Sequence, residues 1–207
     1  MRKIKKLAPP ANLARYVRHE NPQKFEEIHH TSQFPNLYDD CILQLEMEQE
    51  NLSGYTEKPM KNHIHVDHYR KQEWFNTQDM VFGWNNMIAD EHNKDYGADF
   101  KDAHLKSPND YANMINPVME DPHHYLTYMD EGIIKPADGL SATDKAKAEF
   151  TINVFNLKHR LLTELRGDAI RLVKMYKSQG LDDNDIQSAL ADYGFTSAVE
   201  YALNENS

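Results

Sequence analysis

His63-Ile64-His65-Val66-Asp67-His68 is the stretch on which the reading of this chain turns. Its side chains alternate: Ile64, Val66 and His68 fall on one side, His65, Asp67 and the following Tyr69 on the other, the period of a β-strand. Asp67 and His68 therefore leave an ideal strand in opposite directions. For both to reach one point, the strand end must be distorted by a bulge or a turn. Val81-Phe82-Gly83 is expected to be the return strand. Trp84 to Asn93 then reads as a helix anchored by Trp84, Met87 and Ile88. Asn86 lies on the same helical face as Asn93, seven positions on, or in the loop just before the helix.

Imidazole, carboxylate and carboxamide groups in this order are the composition of a one-metal site that cuts phosphodiesters. Such a reaction needs a base for the attacking oxygen and stabilisation of charge on the phosphoryl group and leaving oxygen. Asp67 is the expected metal ligand, with the Asn93 side-chain carbonyl completing the shell. His68 is the expected general base, since imidazole titrates near working pH. Asn86 is expected to orient His68 or the local backbone, and His65 and Arg70 complete the catalytic set. His63 reads as a supporting group, and His92 as either a fourth ligand or a surface residue. Magnesium or manganese is the expected ion. Zinc or nickel also suits mixed Asp, His and Asn donors.

The composition limits what surrounds that site. Lys and Arg number 23 against 33 Asp and Glu, a formal charge of −10 in 207 residues. A protein that wraps duplex unaided usually presents a basic face. Nucleic-acid contact must therefore come from a local patch or another subunit: the Arg2, Lys3, Lys5, Lys6 run, Arg70 with Lys71, or Lys158 to Arg166. Cys41 is the single cysteine, which excludes an internal disulfide and a thiolate-built zinc site; it reads as a packing residue. With no apolar run of about 18 residues and no signal-peptide pattern, the expected location is the cytoplasm, without a membrane partner.

Around the central cluster the pattern is helical. Helices are expected over Ala11 to His19, from Asn21-Pro22 to His30, and over Leu37 to Glu50. Gly97 to Asp110 reads as polar loop. Two short strands are expected at Tyr125 to Tyr128 and Gly132 to Pro136, then helices from Ser141, over Leu161 to Lys177, from Asp182, and from Ser197 to Leu203. The expected fold is α+β: residues 1–50 helical, 51–104 a hairpin-helix core, and 105–207 short strands followed by helices, in one compact domain.

The segment resembles the HNH, or ββα-metal, nuclease superfamily. More closely, it is similar to the small HNH proteins paired with an ABC-type ATPase in Septu and retron antiphage systems. The likeness runs through Gly54-Tyr55-Thr56-Glu57, His65 to Lys71, Phe82 to Met87, Asn93 to Asp102, Ile115-Asn116-Pro117, Gly132 to Pro136 and Ala148 to Leu157, with Arg160 and Leu161 following, covering roughly residues 37 to 166. The resemblance implies a metal-dependent endonuclease in which Asp67 and Asn93 match ligands, His68 the base and Asn86 the central asparagine. Arg70 matches a position just after the motif. It also implies a toxic effector restrained by an ATPase partner and acting on DNA or transfer RNA, with oligomerisation inside the complex allowed. Ser53 and His92 stand where family members often carry zinc-binding cysteines, so the structural zinc knuckle is expected to be lost. A non-cutting adaptor that kept the scaffold is the alternative.

Overall fold

The computed structural model describes residues 1–205 and confirms an α+β architecture with two separate two-stranded antiparallel sheets. The chain opens with helix α1 (Ala11–Glu20), a 3-10 segment at Phe25–His30, and α2 (Leu37–Glu48). Strand β1 (Ile64–His68) pairs with β2 (Met87–Glu91), and the long connection between them holds the short α3 (Gln78–Val81). Helix α4 (Ala98–His104) follows β2. The second sheet is β3 (Leu126–Tyr128) with β4 (Ile134–Pro136). Four helices close the chain: α5 (Ala142–Val154), α6 (Arg160–Ser178), α7 (Asp183–Leu190) and α8 (Thr196–Asn204).

Three sequence expectations around the site need correction. The return strand is Met87–Glu91, not Val81-Phe82-Gly83, which ends a short helical turn; the expected Trp84–Asn93 helix is a 3-10 turn followed by that strand. Met87, Ile88 and Ala89 are all wholly buried. A strand covered on both faces shows a continuous apolar run that a helical stripe can mimic. The Gly97–Asp110 loop in turn contains α4. No helix occupies Trp84–Asn93, and the next helix in the chain is α4, which starts at Ala98.

The β1–β2 hairpin is covered on both faces, which explains its burial. Val66, Met87 and Ala89 face a core with Leu13, Phe25, Leu37, Cys41 and Leu45 from the N-terminal helices. Ile88 faces the larger core with Tyr55, Phe155 and the C-terminal helices. The free edge of β2 is closed by side-chain chemistry. Gln49 accepts from the Ala89 N–H (2.8 Å) and donates to its carbonyl (2.9 Å). The Gly54 N–H bonds the same carbonyl at 3.2 Å, and a Cβ at Gly54 would lie 2.3 Å from Ile88 Cγ2, so only glycine fits there.

Cys41 is a core residue as expected, its thiol pushed up to about 12, chiefly by burial. The N-terminal basic run is folded onto the body. Ile4 is buried, and Lys6 pairs with Glu48 (3.1 Å) and lies 4.4 Å from the Trp84 ring. Arg2 pairs with Glu50 (2.9 Å), which leaves Lys3 and Lys5 as the solvent-facing charges of that run. No helix among the described residues is long and apolar enough to cross a membrane.

Candidate functional site at the hairpin and helix α4

β1 remains regular to its last residue: Asp67 pairs with Ile88, and His68 with Met87. The distortion that would bring Asp67 and His68 together is absent, and the two side chains leave on opposite faces. Asp67 turns toward α4, where Tyr55 Oη donates a short hydrogen bond to Oδ2. Lys101 Nζ stands 3.2 Å from Oδ2 and 3.3 Å from Oδ1. The same ammonium reaches the His68 carbonyl (3.2 Å), the Tyr69 carbonyl (3.3 Å) and Asp102 Oδ1 (2.8 Å). Lys101 has no exposed surface. Burial alone would lower its pKa, but Asp67 and then Asp102 outweigh that and hold it above the ordinary lysine value.

His68 turns into the N-terminal core, edge-on to Phe25 with ring centroids 4.9 Å apart. Its Nε2 lies 2.7 Å from the Val81 carbonyl. A carbonyl can only accept, so Nε2 carries the hydrogen and Nδ1 accepts from Gln72 Nε2 at 3.3 Å. Burial lowers its pKa, which favours this neutral ring. Gln72 and Val81 both line a surface cavity of about 580 Å³ that also includes Lys24 and Glu26.

Asn86 fastens the base of the long connection. Its Oδ1 accepts from the Arg70 N–H (2.8 Å), and Nδ2 donates to the carbonyls of Arg70 (3.1 Å) and Met80 (2.9 Å). The Tyr69 N–H bonds the Asn86 carbonyl at 2.8 Å. One carboxamide thus ties both ends of the segment leading out of β1 and into β2. Arg70 and Asn86 line one groove of about 570 Å³ with Trp84, Asn85 and Asn116, and the Arg70 guanidinium lies 5.3 Å from the Phe75 ring. Asp67, His68 and Asn93 do not line that groove.

Asn93 sits in the turn after β2, where its Oδ1 accepts from the Asp95 N–H at 2.8 Å. Its hydrogen bonds do not connect it to Asp67. His65 shares the Asp67 face of β1 but stacks on His92, rings 3.8 Å apart and 3° from parallel, beside Asp99 of α4. Of the residues named from the sequence, then, the structure brings Arg70 together with Asn86 and His65 with His92, and sends Asp67 and His68 to opposite faces of β1.

Sequence reasoning missed three residues here: Lys101, Tyr55 and Asp90. Asp90, paired with His65 across the hairpin, is buried; its Oδ2 accepts from the Ala98 N–H at 2.8 Å and so anchors the start of α4. Burial pushes its carboxyl up to about 7. Gly97 precedes α4 at φ +79°, and a Cβ there would lie 2.6 Å from Asp90 Oδ2. Gly97, four residues before Lys101, was the available sign of a helix start placing that lysine opposite Asp67.

No protein-family model matches the chain. Over 164 residues it is 24% identical to Septu protein PtuB from Bacillus mycoides (strain KBAB4), covering 68% of this chain and 54% of that protein. The chain thus spans about half the length of that curated relative.

Proposed function

We propose that this chain is an HNH-type endonuclease subunit of a Septu-like antiphage defence complex, and that its cutting site is shut in the isolated chain. The likeness to Septu protein PtuB supports the defence role. The nuclease reading draws on the Asp67-His68 pair at the end of a strand, Asn86 braced across the connection behind it, and a helix packed over the hairpin. ABC-type ATPase and nucleic-acid partners complete this reading, and the acidic net charge suits docking on a basic partner surface.

The observation that carries the shut state is Lys101. As the residues stand, Asp67 does not fit a divalent ion: both its oxygens are engaged by one ammonium, Tyr55 donates to one of them, and the Asn93 side-chain carbonyl is engaged by the Asp95 N–H. The chain's own cation supplies the charge that a metal would otherwise bring. Opening requires Lys101 and α4 to move off β1, and the end of β1 to twist so that Asp67 and His68, now on opposite faces, turn toward one point. Breaking a buried pair costs about 3–5 kcal/mol. A partner that binds the open form about 10⁴-fold more tightly than the closed one would reverse such a preference. His68 then has one nitrogen fixed by Val81 and the other, Nδ1, available to take a proton once Gln72 swings aside.

The complete burial of Lys101 favours a second reading, a scaffold subunit without turnover. Co-expression with the neighbouring ATPase subunit under phage challenge separates the two. DNA and transfer-RNA integrity would be followed for wild type, His68→Ala and His68→Gln, the last keeping a donor for Val81. The nuclease reading expects nucleic-acid breakage and protection in wild type only. The scaffold reading expects no breakage and undiminished protection in both folded variants.

A further inference from the structure

We infer that His65, His92 and Asp99 form a transition-metal site, separate from the Asp67 position, that clips α4 to the hairpin. One ligand comes from each of three elements: His65 from β1, His92 from the turn after β2, and Asp99 from the first turn of α4. One donor atom from each residue lies within 4.8 Å of the other two. His92 Nδ1 is 3.2 Å from Asp99 Oδ2, and His65 Nε2 is 3.9 Å from Asp99 Oδ1. In a tetrahedral zinc site with bonds of about 2.0–2.1 Å, neighbouring donors stand about 3.3 Å apart. The His92–Asp99 pair is already at that spacing, the His65–Asp99 pair needs a shift of well under an ångström, and the His65–His92 pair lies within the same 4.8 Å.

The surroundings suit an ion. The two imidazoles are stacked 3° from parallel, so their in-plane lone pairs meet at one ion after the exposed His92 ring rotates about its Cβ–Cγ bond. The His65 side chain is largely buried, so its position is fixed by packing, whereas His92 is 60% exposed and opens the site to solvent. His65 to Asp99 at 3.9 Å is too long for a hydrogen bond, and the contact an ion would replace is that of His92 Nδ1 with Asp99 Oδ2 at 3.2 Å. Two nitrogens and one oxygen favour zinc, cobalt or nickel over magnesium, with the remaining position left to water. The consequence is mechanical: the ion ties strand and helix together at the outer end of the same α4 whose inner side holds Lys101.

The test uses the full chain, stripped with chelator and titrated with Co²⁺ for its visible spectrum and with Zn²⁺ for thermal stability. Wild type is expected to develop the cobalt d–d bands saturably and to melt at higher temperature with zinc. His92→Ala and Asp99→Asn are expected to fold normally without metal, weaken binding by at least ~10-fold, and lose the zinc-induced shift. Asn93→Ala is expected to bind as wild type. Absence of saturable binding in wild type would overturn the proposal. So would wild-type binding in His92→Ala, or loss of binding in Asn93→Ala, which would move the ion to the Asn93 side. The assay needs neither partner nor nucleic acid, so its outcome is independent of nuclease activity.

Discussion

Lys101 Nζ lies within 3.3 Å of both carboxylate oxygens of Asp67, in a position with no solvent access. The pair joins α4 to β1 and fixes which cation Asp67 sees. Removing one partner leaves a buried, uncompensated charge, so Lys101→Met should cost about 3–5 kcal/mol. The double change Asp67→Asn with Lys101→Met should recover part of that loss. Urea unfolding of Lys101→Met, Asp67→Asn and the double variant provides the comparison; a double-variant loss equal to the sum of the two single losses would mean that the two groups do not interact.

Asn86 makes its contacts through a single carboxamide, bonding the backbone of Arg70 twice and that of Met80 once. At about 1 kcal/mol net for each hydrogen bond, Asn86→Ala should destabilise by about 2–3 kcal/mol. The loss should be local. Amide exchange should speed up at Arg70, whose N–H bonds Asn86 Oδ1, while the Ala89 amide, held by Gln49, keeps its protection.

Asp90 gives a pH signature of known sign. Its folded pKa is raised from 3.8 to about 7, chiefly by burial, so the native state holds a proton that the unfolded chain releases. That contribution is complete below about pH 4 and is lost as the pH rises through 7. Asp90→Asn does not titrate, so its stability relative to wild type should climb from pH 4 to 8, by up to about 4 kcal/mol. A parallel pair of stability curves would show that Asp90 is ionised throughout.

His68 works in the opposite direction. Burial lowers its pKa below the usual 6.5, so the unfolded chain takes up a proton that the folded one refuses. Stability should therefore fall as the pH drops below 6.5, and His68→Gln should flatten that acid limb. His65 is lowered by the same cause and will keep part of the slope.

The alternating strand at Ile64–His68, the helix at Leu37–Glu48 and the capped helix beginning after Ser141 were legible because each depends on local pattern. Ser141 accepts from the Asp144 N–H as its spacing implies. The return strand was misplaced because Met87-Ile88-Ala89 is covered by two cores, and burial on both faces erases the alternation that marks a strand. Among the site residues, Asp67 and His68 stood out as a chemical pair, and their opposite directions followed from the strand period. Lys101 did not stand out. A lysine in a polar, helix-compatible run looks solvent-facing until the fold sets α4 against β1, a contact 34 residues distant in the chain.

The most direct measurement is nuclear magnetic resonance of the side-chain ammonium groups in chain labelled with ¹⁵N-lysine, with Lys101→Met supplying the assignment. The account predicts a slowly exchanging Lys101 NH₃⁺ signal that stays charged to alkaline pH and is unmoved by millimolar Mg²⁺. A Lys101 signal that exchanges as fast as those of Lys3 and Lys5, or one that Mg²⁺ displaces in the isolated chain, would contradict it.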